Sequence, residues 1–252
     1  MSARFSIVLL GLWLSAAPAF AQTEPPAGDA QALAKALANP VSSLISVPFQ
    51  FNYDHDIGPD DEGERLTLNV QPVMPISLNQ DWNLISRTIL PITYQDDVLP
   101  DAGAQFGLGD TVQSLFLSPA EPGPNGVVWG VGPVFLLPTA TDDLLGADQW
   151  GIGPTGVALR QSGPWTYGLL ANHIWSVAGD DDRGDVSSTF LQPFLTYTTP
   201  NATTFFLNTE STYDWGGRGM ERADQFRGQP ARDAGRPAAP DRRRAALLGR
   251  KP

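Results

Sequence analysis

Few residues of this sequence have the types and spacing that catalysis requires. The chain has no cysteine, which excludes thiolate nucleophiles and thiolate metal sites, and it has two histidines, His55 and His173. Ser176 follows His173 by three residues, so a serine–histidine dyad with hydrolase chemistry is one interpretation. The other is an interfacial or lumen histidine, because His173 shares an alternating apolar run with Trp175. We predict that the protein is not an enzyme and has neither catalytic residues nor a cofactor.

Two acidic runs offer oxygen ligands of the kind that hard divalent cations such as Ca²⁺ prefer. Neither run has the complete spacing of a calcium-binding loop, so a solvated acidic loop is the simpler interpretation, and we predict no defined metal site. The acidic residues concerned are Asp60, Asp61, Glu62, Glu64, Asp180, Asp181, Asp182 and Asp185.

Charge is distributed unevenly along the chain. Residues 22–215 contain 23 acidic and five basic side chains, a net charge of −18, whereas residues 216–252 contain ten basic and four acidic side chains, a net charge of +6. An acidic body argues against a nucleic-acid partner, since phosphates are bound by Lys and Arg.

The first 44 residues predict export followed by a short helix. Arg4, the apolar stretch 5–14 and the small residues at 19 and 21 have the pattern of a signal peptide over 1–21, exported through the Sec pathway. The apolar stretch is too short for a membrane-spanning helix, which needs about 20 residues. Within the segment 22–44, residues 29–38 predict a helix that is too short to be stable alone and must dock on the rest of the protein.

From Ile45 onward, apolar residues alternate with polar ones, which is the period of a β-strand. The strands are about 10–13 residues long, whereas strands of soluble domains are commonly about 5–6 and those of membrane barrels about 9–11. The pattern predicts an all-β, antiparallel up-and-down transmembrane β-barrel over 45–215; a soluble sandwich or barrel is the alternative. Nine strands are visible, near 45–53, 65–74, 82–94, 106–117, 126–138, 150–160, 165–177, 186–198 and 203–215.

The connections between these strands alternate in kind. Short turns lie at 77–81, 118–125, 161–164 and 199–202, and generally longer acidic loops lie at 54–64, 95–107, 138–149 and 178–185. Outer-membrane barrels have short periplasmic turns and longer outer loops. We therefore predict that the protein lies in the outer membrane of a Gram-negative bacterium, with lipid and lipopolysaccharide as partners and the acidic loops outside.

The polar face of the strands predicts the lumen. Arg65 and Arg87 are scarce cations in an acidic body, and they would pair with acids such as Asp54 or Asp110 and line a constriction; a structural salt bridge is the equal alternative. The repeated motifs WGVGP (129–133) and WGIGP (150–154) predict close strand curvature rather than phosphate binding. The lumen-lining candidates are Gln50, Asn52, Arg65, Thr67, Asn69, Gln71, Arg87 and Asp110.

Several segments carry a family resemblance. They are NPVSSLISVPFQFNYD (39–54), LNVQPVMPISLNQDWNLISRTILPITY (68–94), GLGDTVQSLFLSP (107–119), WGVGPVFLLPTATDDLLG (129–146) and WGIGPTGVALRQSGPWTYGLLANHIWSVAG (150–179). Over about residues 33–215 the chain resembles bacterial outer-membrane proteins of the MetA-pathway-of-phenol-degradation, or transporter, type, some of which carry the misapplied label neuromedin U. The resemblance implies a barrel of twelve strands, a final strand read by the barrel-assembly machinery, and transport of hydrophobic or aromatic compounds.

The segment 216–252 departs from this pattern. It contains no Ser, Thr, Val, Ile, Tyr, Trp or Asn, and predicts a disordered basic tail. One interpretation is an arm that binds phosphate or lipid A; the one we favour is a frameshift product, because a neighbouring reading frame permits a sequence like that of the family. Nine strands leave two open edges, which lipid does not tolerate, so we predict that this chain inserts poorly.

Two functions follow from these expectations. The first is a channel or transporter for small, hydrophobic or aromatic compounds, and the alternative is a non-transporting structural or surface barrel. Planar-bilayer conductance distinguishes them, and a barrel sealed by the N-terminal helix would favour the second.

Overall fold

The computed structural model describes residues 27–99, 102–216 and 219–221; the predicted signal peptide and most of the predicted tail lie outside these residues. One helix, α1 (Ala27–Leu37), precedes the sheet. The strands are β1 (Phe49–Ile57), β2 (Gly63–Val70), β3 (Val73–Ser77), β4 (Trp82–Asp96), β5 (Gln105–Leu108), β6 (Thr111–Pro119), β7 (Val127–Leu137), β8 (Gln149–Ser162), β9 (Trp165–Gly179), β10 (Ser187–Thr198), β11 (Thr204–Asn208), β12 (Ser211–Asp214) and β13 (Gly219–Glu221).

These strands form one antiparallel meander. The order is β1-β2-β4-β6-β7-β8-β9-β10-β12-β13, with β3 and β5 on β4 and β11 on β10. Strands β2 and β3, β5 and β6, and β11 and β12 are therefore halves of three interrupted strands. Counted in this way, nine long strands curl into a half-barrel, which confirms the predicted all-β barrel architecture.

Several predicted boundaries shift. The first strand begins at Phe49 rather than Ile45, and Ser46 forms only an isolated bridge to Val73. The helix begins two residues earlier than predicted, at Ala27. The prediction of no strand beyond residue 215 is wrong for Gly219–Glu221, which pair with β12.

The two Trp-Gly motifs lie side by side, because Pro133 on β7 is directly opposite Pro154 on β8. Proline donates no ladder hydrogen bond, and the glycine before each proline approaches the backbone of the other neighbouring strand. A Cβ on Gly132 would collide with the carbonyl oxygen of Leu115, and one on Gly153 with that of His173. The motifs therefore bring strands close together.

Antiparallel pairing places successive connections at opposite ends of the sheet. The end that carries the segments 78–81, 120–126, 163–164 and 199–203 is here called the turn end, and the opposite one, with the acidic segments, the loop end. Among the described residues, no helix has the length and hydropathy needed to cross a membrane.

Candidate functional site: an interior cavity

The sheet is apolar on its convex outer face and mixed or polar inside. On β1, Phe51 and Tyr53 are exposed while Asn52 and Asp54 are buried. The same alternation continues on β9, where Leu169 is 45% exposed and its neighbour Leu170 is 2% exposed. Buried polar side chains beside exposed aromatic ones, as on β1, are the reverse of what a water-soluble sheet shows.

The curled sheet encloses a cavity of about 160 Å³ on its inner side. Polar side chains of β1, β2 and β4 form one wall, and Ile89, Val112, Ile174 and Phe190 form an apolar part of the lining. All eight lumen candidates from the sequence line this cavity: Gln50, Asn52, Arg65, Thr67, Asn69, Gln71, Arg87 and Asp110.

A belt of hydrogen bonds runs along the cavity wall from a cation to an anion. Arg87 Nη2 donates to Gln71 Oε1 (2.7 Å), and Gln71 Nε2 donates to Gln50 Oε1 (2.6 Å). Gln50 Nε2 in turn donates to Glu210 Oε1 (3.3 Å), which also accepts from Gln192 Nε2 (2.8 Å). Because Gln50 lies on β1 and Glu210 lies between β11 and β12, the belt joins the first and last parts of the sheet through side chains.

Nearer the loop end, four inward side chains form a row across neighbouring strands. Asp54, Arg65, Gln95 and Gln105 are consecutive cross-strand neighbours. Arg65 Nε donates to Gln95 Oε1 (2.9 Å), and Gln95 Nε2 donates to Gln105 Oε1 (2.8 Å).

The ion pairs predicted for Arg87 and Asp110 are replaced by other hydrogen bonds. Arg87 donates to an amide oxygen, and Asp110 accepts the backbone N–H groups of Ala140 and Ala147. Charged groups inside a protein need hydrogen-bonding partners, and neutral amides fill that need here.

The turn end of the interior is filled. Phe116, Ile85 and Leu170, which come from three different strands, belong to one buried apolar cluster. Val41, which follows α1, is part of the same cluster. The cavity is therefore blocked toward the turn end by packed side chains.

Helix α1 docks over this blocked end. Gln31 Nε2 donates to the carbonyl oxygen of Thr198 (3.2 Å), and Gln161 Nε2 donates to that of Lys35 (3.3 Å). Thr198 ends β10 and Gln161 lies near the end of β8, so both contacts lie beside short turns. The helix docks as the sequence predicted.

The candidate dyad does not form. His173 Nδ1 hydrogen-bonds with Thr189 Oγ1 (2.6 Å), and Ser176 Oγ donates to Asp185 Oδ1 (3.2 Å). His173 and Ser176 are three positions apart on β9, so alternation directs them to opposite faces of the sheet.

The acidic candidates lie near or at the loop end, and every one of them is exposed: Asp60, Asp61, Glu62, Glu64, Asp180, Asp181, Asp182 and Asp185. Asp180 Oδ1 accepts the backbone N–H of Asp182 (2.9 Å), which is a local turn contact rather than a ligand arrangement.

Sequence reasoning missed part of the lining. Gln192 lies on β10 and Glu210 between β11 and β12, and both are polar positions of alternating runs, where the alternation that identified Gln50 would also have identified them. Leu144 and Leu145 gave no signal, because they belong to a connection that the sequence predicts to lie outside the barrel.

A scan against protein-family models finds no match for this chain, and searches of curated proteins and of solved structures also find none.

Proposed function

We propose that the protein is a β-barrel of the bacterial outer membrane that takes small molecules into its interior and passes them across, and that it belongs to the transporter family its sequence resembles. One observation carries the proposal: the outer face is apolar and exposed while polar groups are buried inside. Three apolar side chains are each more than 60% exposed: Val177 on β9, and Phe205 and Leu207 on β11. Apolar surface this extensive is stable only against lipid or another apolar partner.

The outer aromatic residues support a membrane setting. Trp165 packs on Tyr197 near the turn end, with ring centroids 4.7 Å apart, and Tyr213 packs on Trp215 near the loop end, also at 4.7 Å. Trp175 lies ten positions beyond Trp165 on the same strand. At about 3.3 Å per residue and a tilt of about 40°, that spacing crosses about 25 Å, the height of a barrel's apolar band.

Passage is blocked in the described conformation. The cavity has hydrogen-bonding and apolar walls that suit a small molecule, but the packed cluster around Phe116 and the docked α1 segment close its turn end. Transport would therefore require α1 and the residues that follow it, as far as Val41, to leave the turn end of the interior. The packed interior is also the observation that favours the second candidate, a non-transporting structural barrel.

Reconstitution of the full chain into phosphatidylcholine vesicles tests both parts. If the outer face contacts lipid, brominated lipid quenches the tryptophan fluorescence; absence of quenching would contradict the membrane proposal. Solute entry is then measured by vesicle swelling for the wild-type chain, for Val41→Asp, which places a charge in the apolar cluster, and for the exposed helix control Leu33→Ala. Faster entry for Val41→Asp alone supports a plugged transporter, and no entry for any variant supports the structural barrel.

A further inference from the structure

We propose that residues 138–148 form a lid over the loop end of the cavity and that the carboxylate of Asp110 is the latch that holds it. The inference rests on the proposed function, since it describes how access to the same cavity is regulated. It concerns the connection between β7 and β8, which the sequence predicts to be an outer acidic loop.

One carboxylate holds both ends of the lid. Asp110 lies in the interruption between β5 and β6 and is 5% exposed. Its Oδ1 accepts the N–H of Ala140 (3.2 Å), and its Oδ2 accepts the N–H of Ala147 (2.6 Å). Hydrogen bonds to an ionised group are about twice as strong as neutral ones, and Asp110 makes two of them with the lid. On the exposed side of the lid, Arg183 Nη2 donates to the carbonyl oxygen of Asp143 (2.6 Å).

Threonine hydroxyls reinforce the same attachment. The N–H of Thr111 donates to Thr139 Oγ1 (2.9 Å), and the N–H of Leu108 donates to Thr141 Oγ1 (2.9 Å). These groups flank Asp110 on both sides, so the interruption between β5 and β6 provides the seat of the lid.

The seated lid reaches the cavity. Leu144 and Leu145 contribute to the cavity lining, and Gly146 and Ala147 are buried. A Cβ on Gly146 would lie 2.7 Å from Asp110 Oδ1 and would collide with Ala140. Glycine at 146 therefore allows the chain to pass directly over the latch.

The consequence is a cavity that is blocked at its turn end and partly covered at its loop end. The apolar cluster and α1 close the turn end, and the lid covers the loop end. Separation of the amides of Ala140 and Ala147 from Asp110 would then widen access for solutes from the loop end.

Cysteine labelling tests the latch, because the chain has no cysteine of its own. Asn69→Cys places a reporter on the cavity wall, and Asp181→Cys places one on the exposed surface. Each reporter is combined in the full chain, refolded into vesicles, with Asp110→Asn or with the control Asp148→Asn. The control removes one exposed charge from the same connection. The measured quantity is the rate of reaction with a small neutral methanethiosulfonate.

We expect Asp110→Asn to raise the labelling rate at position 69 at least about tenfold, because the two N–H groups are bonded to different oxygens and asparagine replaces one of these acceptors with an NH₂ donor. The control should leave that rate unchanged, and position 181 should react equally fast in every background. Equal rates at position 69 with and without Asp110 would overturn the latch, whether those rates are fast or slow. Gly146→Ala should displace the lid sterically and give the same increase in the labelling rate at position 69. If Asp110→Asn does not fold, the labelling rate of Gly146→Ala tests the lid in its place.

Vesicle swelling with Asp110→Asn, alone and combined with Val41→Asp, separates this inference from the proposed function, because the turn end must also be open for a solute to pass. Faster labelling in Asp110→Asn without solute entry in the double variant would keep the lid and refute transport. Solute entry with unchanged labelling would keep transport and refute the lid.

Discussion

Replacing Phe116 with alanine should destabilise the protein far more than the same change at its neighbour Leu117. Phe116 points inward, is 0% exposed and belongs to the apolar cluster that fills the turn end, whereas Leu117 points outward and is 40% exposed. Truncating a fully buried phenylalanine leaves a cavity and costs about 3–5 kcal/mol. If the outer face contacts lipid as proposed, truncating Leu117 removes about three CH₂ equivalents from that contact, at about 0.8 kcal/mol each, so about 2 kcal/mol. In the proposed membrane setting, lipid chains would fill the space that Leu117 vacates, whereas nothing would fill the space left by Phe116.

The free energy of unfolding is measured by urea titration of the vesicle-reconstituted chain, with tryptophan fluorescence as the signal and the heat-induced mobility shift as a second one. The Phe116→Ala loss should exceed the Leu117→Ala loss by at least about 1 kcal/mol. A larger loss for Leu117→Ala would refute a packed interior. A loss near zero for Leu117→Ala would refute the lipid contact, because an exposed leucine in water contributes little.

Three further substitutions test other parts of the structure. Gly153→Ala should lower the free energy of unfolding by about 1–3 kcal/mol, because the added Cβ would collide with the backbone of β9. Its control is Gly156→Ala on the same strand, where a Cβ has room. The control should change the free energy of unfolding by less than about 0.5 kcal/mol in the same urea titration. Glu210→Ala should cost at least about 2 kcal/mol, because the amide groups of Gln192 and Asn208 lose the acceptor that they share. An unchanged urea midpoint would contradict the belt. Leu169→Lys on the outer face should lower the free energy of unfolding in vesicles by about 2–4 kcal/mol and should sharply reduce the folded band on a gel. A variant as stable as the wild type would show that this face does not contact lipid.

The predicted frameshift is tested on the gene itself. The segment beyond residue 221 lies outside the described residues, so the structure leaves both interpretations of it open. A missing or extra base near the codon of Trp215 should appear on resequencing, and a clean read would contradict the hypothesis. The prediction that this chain inserts poorly is checked in native outer membranes, where a folded, heat-modifiable band would contradict it.

The sequence by itself determined the strands and their faces. Alternation has a period of two, so Phe51 and Asn52 must point to opposite sides of β1, and the five uncharged lumen candidates follow from that rule. Where both neighbours are apolar, as at Phe116 and Leu117, alternation gives no sign of which residue is inside. The packed cluster that closes the turn end was therefore invisible in the sequence.

The tertiary structure alone decided the partners of the polar residues. Strand register places Arg65 beside Gln95, and sheet curvature brings Gln50 to Glu210, 160 positions away. Asp110 looked like a counterion for an arginine, yet it accepts backbone amides from a connection some 30 positions along the chain. Periodicity acts between near neighbours and so fixes which way a side chain points. What that side chain meets depends on contacts between distant segments, which only the folded sheet creates.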